Sequence, residues 1–194
     1  MMEVNVAKRV AFLALFTALG VMIAPFFWFQ FLATKAFPGQ HLVNGLAGVV
    51  IGPWWAGLAA VFIGVIRNML GIGTVYAFPG GIPGAIVVGL AYKLTRRSRN
   101  RLVRYSAALL EPIGTVIIGG TISLFLVAPL MGHTRLTDPL AEMGLAFLPV
   151  FWAGWAASSV PGALISYVVL LALDRMGVMP HIGVAEKVQR SAQT

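Results

Sequence analysis

The chain has 194 residues, of which 59% are hydrophobic and 10% charged, and its mean hydropathy is +0.88. A soluble domain carries about 25% charged residues, so the composition excludes an ordinary water-soluble fold and leaves room for several membrane spans of ~20 residues. Cysteine is absent, which excludes disulfides, thiolate nucleophiles and cysteine-based metal sites, and the formal charge of +8 does not indicate nucleic acid because the basic excess lies beside apolar stretches.

Taken in chain order, the apolar stretches predict spans at about residues 10–31, 41–51, 54–66, 75–94, 105–131 and 145–173, one integral membrane domain over 1–194. Lys8 and Arg9 precede the first stretch as they would in a secretory signal. That stretch exceeds the ~7–15 apolar residues of a signal, and no A-x-A site follows, so a retained span is expected. The second and third stretches are separated only by Gly52-Pro53, so they are either one kinked helix or two helices joined by a tight turn. With six spans and both termini inside, eleven of the fourteen basic residues fall on the inner side, leaving Lys35, Arg67 and Arg135 outside. A single 41–70 span would move the Arg96–Arg104 cluster to the side opposite Lys8 and Arg9, against the positive-inside tendency. Six helices, N-in and C-in, are therefore predicted, with Pro53 suited to a first helical turn. The basic cluster could also dock acidic lipids, although topology alone accounts for most such clusters. Neither internal repeats nor an inverted pair of broken helices is evident.

The first predicted helix carries Ala7, Ala11, Ala14 and Ala18 at spacings of four, three and four, a small-residue stripe on one face. Its partner could be a neighbouring helix of the same chain or another subunit. The first outer loop, 34–41, ends in Phe37-Pro38-Gly39-Gln40-His41, with Asn44 a turn further on; it reads as an ordinary turn or as a lid over a pocket. Arg67 and Asn68 close the third span. The stretch RNMLGIGTVYAFPGGIPGA that follows supplies permissive backbone at Gly71, Gly73, Gly80, Gly81 and Gly84, tolerated at membrane depth where it lines a cavity. Close helix packing is the structural alternative. Glu111, with Thr115 one turn on, is the single acid inside a span, and an ionisable group there marks either ligand contact or an internal hydrogen-bond role. Trp152 and Trp155 begin the sixth span, as interfacial anchors or as an aromatic wall for a planar ring.

Catalytic apparatus is not recognisable. There is no G-x-x-x-x-G-K-[ST] loop and no H-E-x-x-H. Gly71-Ile-Gly73 is not completed as a dinucleotide fingerprint, and Ser158-Ser159 has no evident base beside it. His41, His133 and His181 are far apart in sequence, so neither metal nor other cofactor is expected.

The stretches AFPGQHLVNGLAGVVIGPWWAGLAA, RNMLGIGTVYAFPGGIPGA and EPIGTVIIGG, with the alanine stripe, resemble the thiazole-precursor (ThiW-type) S components of energy-coupling factor (ECF) transporters over about residues 7–173. The resemblance implies a non-enzymatic, multi-pass subunit in the plasma membrane of a prokaryote. Such a subunit captures a vitamin precursor, here hydroxyethylthiazole, and delivers it inward with an ECF transmembrane coupling subunit and two ATPases. It also implies that Ala11, Ala14 and Ala18 dock the coupling subunit and that Gln40 and His41 belong to a gating loop. Arg67, Asn68, Tyr76, Glu111, Trp152 and Trp155 fall in segments that line pockets in the family; Asn44 and Thr115 join the candidate substrate-binding set as neighbours of these. The alternatives are an S component for thiamine or its pyrimidine precursor, an intramembrane enzyme using Glu111, or a structural membrane partner without a ligand.

Overall fold

A chain this apolar must satisfy its backbone internally if it lies in lipid, and the helix does so within each segment. The computed structural model describes residues 6–31 and 34–179; His181, Lys187 and Arg190 lie outside them. Helix α1 spans Val6–Ile23 and is followed by an antiparallel hairpin, β1 (Phe29–Phe31) and β2 (Thr34–Ala36), in which Gln30 pairs with Lys35. Next come α2 (Pro38–Val50), α3 (Pro53–Met69) and α4 (Ala77–Thr95). They are succeeded by α5 (Arg101–Leu130), α6 (Thr134–Met143) and α7 (Phe147–Arg175).

Three boundaries differ from the sequence expectation. The first span does not reach residue 31: α1 stops at Ile23, because Pro25 disfavours helical backbone at Ala24, and the Phe26–Phe29 aromatic run leads into the hairpin. The 34–41 loop is half strand and half helix, since Pro38 opens α2 at its first turn. Helix α6, where only a connection is expected, buries Leu136 against Leu124, Ala128 and Phe151.

Between α2 and α3 the chain turns at Gly52, whose φ of +83° is open to glycine and costly to other residues. The two segments are thus separate helices. Among the described residues, four helical stretches are long and apolar enough to cross a membrane: Val6–Ile23, Ala77–Thr95, Arg101–Leu130 and Thr134–Arg175. By length and composition they are the spans of a multi-pass, all-α membrane protein. Helices α2 and α3, at 13 and 17 residues, are shorter.

Helix α2 occupies the centre. Eleven of its residues are buried, against α3, α4 and α7, so polar side chains on it cannot reach bulk solvent and must find partners inside. Helix α1 is peripheral, burying only Phe16 and Gly20, and α5 and α7 turn Ile117, Phe125, Leu164 and Val168 outward as lipid-compatible surface.

Helices α4 and α5 meet backbone to backbone. Residues 113–120 and 123–127 of α5 take π-helical hydrogen bonding, which places residues five apart on one face. Gly114 thereby lies on Pro83 and Gly84, and Gly119 on Pro79 and Gly80. The glycines at 80, 81 and 84 are helical; only residues 70–76 of that block form a loop. The glycine-rich composition there chiefly permits close packing.

Candidate functional site

One end of the bundle encloses a cavity of about 800 Å³, within the range of small-molecule sites. Its wall comes from the hairpin and the start of α2 (Gln30, Phe37, Gln40, His41), the α3–α4 corner (Arg67 through Ala77), the α5–α6 corner (Met131 through Leu136) and α7 (Gly154, Trp155, Ser158). The hairpin, the helix ends and the first half of α7 that contribute all lie on the side away from the Gly52 turn and the arginine-rich 96–104 connector. That connector is tied down at the far end: Arg104 donates to the Ser98 carbonyl through Nε and Nη2 at 3.1 and 3.0 Å, and Tyr105 donates to Asp174 at 2.7 Å.

Beneath the cavity floor, four polar side chains converge on Glu111, whose carboxyl group is wholly buried, and Thr115 Oγ1 also lies 2.9 Å from the Gly80 carbonyl. Asn44 Nδ2 donates to Oε1 at 2.9 Å, Thr115 Oγ1 lies 2.6 Å and His41 Nδ1 2.9 Å from the same oxygen, and Ser159 Oγ donates to Oε2. The local sequence makes this convergence possible. Residues 41 and 44 share a face of α2, and 111 and 115 are one turn apart on α5. Gly84 of α4 gives the carboxyl group its room, for a Cβ there would collide with both Glu111 Oε1 and Thr115 Oγ1.

From this carboxyl group a chain of side chains runs up to the cavity wall. Arg67 Nη1 donates to Gln40 Oε1 at 3.1 Å, Gln40 Nε2 donates to Asn44 Oδ1 at 3.1 Å, and Asn44 donates to Glu111. Every link points its hydrogen toward the acid, so both amides are polarised in one sense and the guanidinium is coupled to the carboxyl group without touching it. Arg67 is 1% exposed, its guanidinium lies 3.9 Å from the centre of the Phe37 ring, and its Nε and Nη2 have no acceptor among the described residues.

On the opposite wall, Tyr76 OH lies 2.5 Å from His133 Nδ1, with the two rings tilted and 5.4 Å apart. Burial raises the Tyr76 phenol above its ordinary value, so it keeps its proton beside the His133 ring. Asn68 turns its amide to the backbone, donating to Gly64 and Thr74 carbonyls at 2.7 and 3.1 Å, and so pins the 70–76 loop.

Of the ten candidate binding residues, the fold places Gln40, His41, Arg67, Asn68, Tyr76 and Trp155 in the cavity wall. Asn44, Glu111 and Thr115 lie below it as its support. Trp152 is outside the wall and packs toward Gly120 on α5. Sequence reading missed Phe37 as the platform for Arg67, Ser158 as a wall residue and His133 as the partner of Tyr76. Position 133 is 57 residues from 76, and no local pattern joins them. The sequence expectation for Ser158-Ser159 is corrected: Ser159 has a carboxylate beside it, Glu111, delivered by tertiary packing. Both groups are sealed from the cavity. Among the described residues, no three or more His, Cys, Asp or Glu side chains come together as a metal-binding group.

The alanine stripe of α1 faces outward. Ala11, Ala14 and Ala18 are exposed, and Ala14 and Ala18 line a shallow apolar groove with Phe62 and Ile66 of α3. Among the described residues, no helix covers them.

A multi-pass helical membrane protein with an internal cavity and a polar, amide-linked floor has the construction of a solute-binding transport protein. Residues 10–176 match the family described as thiamine-precursor transporter protein (ThiW), and the chain belongs to that family. No curated protein and no solved structure matches it.

Proposed function

We propose that the protein is the substrate-binding S component of an ECF-type importer, capturing a thiazole-type thiamine precursor, hydroxyethylthiazole or a close derivative. The bundle crosses the plasma membrane of a prokaryote six times, with α2 and α3 as two short spans and both termini inside. The arginine-rich connector then faces the cytoplasm and the cavity faces outward, as the positive-inside tendency favours. The exposed alanine stripe supports docking of a coupling subunit, which with two ATPases drives delivery inward.

The observation that carries the substrate reading is the chemistry of the cavity wall. Trp155 and Tyr76 offer aromatic faces to a flat ring, while Ser158, Gln40 and Arg67 bring polar groups toward its substituents; among the described residues no acidic side chain is part of the wall. Arg67 and Arg135 make it a poor host for the cationic thiazolium of thiamine. The Ser159–Glu111 contact is the one feature in favour of an enzyme, and its burial away from the cavity keeps substrate from it.

Calorimetric titration of the detergent-purified protein tests this reading. Saturable binding of a hydroxyethylthiazole compound without ATP is expected, with thiamine and the pyrimidine precursor competing at least about tenfold more weakly. Preference for the pyrimidine, or binding of none of the three classes, would refute it.

A further inference from the structure

From the geometry of Arg67 we infer that the cavity selects an ionised ligand, an azole bearing a carboxylate or phosphate, over its neutral alcohol. This rests on the thiazole reading above. A guanidinium presents two edges. Gln40 takes Arg67 at Nη1, and the Phe37 face fixes the plane of the group. What is left, Nε and Nη2, is the side-on fork that matches the two oxygens of a carboxylate or phosphate.

The chain itself shows what this edge accepts when it is satisfied. In Arg104 the same two nitrogens both reach the Ser98 carbonyl, and Nη1 lies 3.9 Å from Asp174. In Arg67 they reach no acceptor among the described residues, although the side chain is almost wholly buried and forms part of the cavity wall. Both nitrogens are themselves buried in the wall, and a buried charge without its hydrogen bonds is costly, so a group that enters the cavity and draws this edge of Arg67 out to two acceptors gains more here than at an exposed arginine.

Among the described residues, no carboxylate of the wall competes for that role. Arg135 is the other cation there, and Asp138 and Glu142, on α6, are not part of the wall. The nearest bonded acid, Glu111, is reached only through Gln40 and Asn44 and has its own partners in His41, Thr115 and Ser159. The countercharge for the fork therefore comes with the ligand.

The test is calorimetry on the full-length purified protein with three probes: hydroxyethylthiazole, its phosphate monoester and its ring carboxylate. At least one anion is expected to bind about tenfold or more tightly than the alcohol, the figure for one charge-assisted pair. The comparison of the two anions tells carboxylate from phosphate recognition. In Arg67→Lys, which keeps the charge and removes the fork, all three probes should bind more weakly, the anions most, so that the preference falls to less than about threefold. Equal or tighter binding of the alcohol by the natural protein overturns the inference and leaves the thiazole reading intact. Binding of none of the three overturns both. Should Arg67→Lys not fold, the order of the three probes on the natural protein still decides.

Discussion

Glu111 has no solvent exposure and four polar side chains within hydrogen-bond distance, so its energetics are those of a buried carboxyl group held by its neighbours. Removing one member of such a cluster leaves several buried donors without an acceptor, and each orphaned polar group costs roughly 1–3 kcal/mol. Glu111→Ala should therefore lower stability by about 3–5 kcal/mol in thermal unfolding followed by circular dichroism. Glu111→Gln, which keeps the shape but sets an NH2 against one set of donors, should cost less, about 1–3 kcal/mol. A change below about 1 kcal/mol for the alanine variant would remove Glu111 from the centre of the cluster. An isolated acid in an apolar stretch marks this residue as special in the sequence. Its partners are not visible there, because His41 and Asn44 stand 70 and 67 residues away and their convergence depends on helix packing.

At the scale of the elements, two glycines do distinct jobs. Gly52 supplies a left-handed turn with nothing nearby for a Cβ to strike, so Gly52→Ala should cost about 1–2 kcal/mol through backbone strain alone. Gly84 is helical and unstrained, but a Cβ there meets Glu111 and Thr115; Gly84→Ala should destabilise by about 1–3 kcal/mol through forced separation of α4 and α5. Thermal unfolding distinguishes them if ligand binding is measured in parallel: only the second variant should weaken it, by shifting the cavity floor. The sequence marks Gly52 clearly, since Gly-Pro between apolar runs is a turn signal. It marks the position of Gly84 but not its purpose, which lies in the register between α4 and a π-helical α5. The hairpin and α6 are illegible for a related reason. Both are short, and α6 is defined by burying Leu136 under α7's Phe151 as much as by any pattern of its own.

For the whole molecule, charge and apolar surface define its two ends and its flanks. Arginines gather at the connector end, the cavity opens at the other, and the alanine face of α1 stands on the flank with the Phe62–Ile66 groove beside it. Separation of these features implies that capture and coupling can be broken independently. Ala14→Leu should leave ligand affinity within about twofold while reducing cellular uptake of labelled thiazole by at least about tenfold, because a bulky side chain blocks close helix approach on that face. Equal loss of both would place the stripe inside the fold's own packing. The chain's lack of cysteine gives the most direct test of the central claim, an outward cavity that takes a thiazole precursor. Ser158→Cys puts one thiol in the cavity wall, and intact cells expressing it are treated with a membrane-impermeant maleimide with and without hydroxyethylthiazole or its anionic derivatives. The account predicts labelling from outside that the best-binding compound suppresses; labelling only after the cells are opened, or labelling that no compound alters, would contradict it.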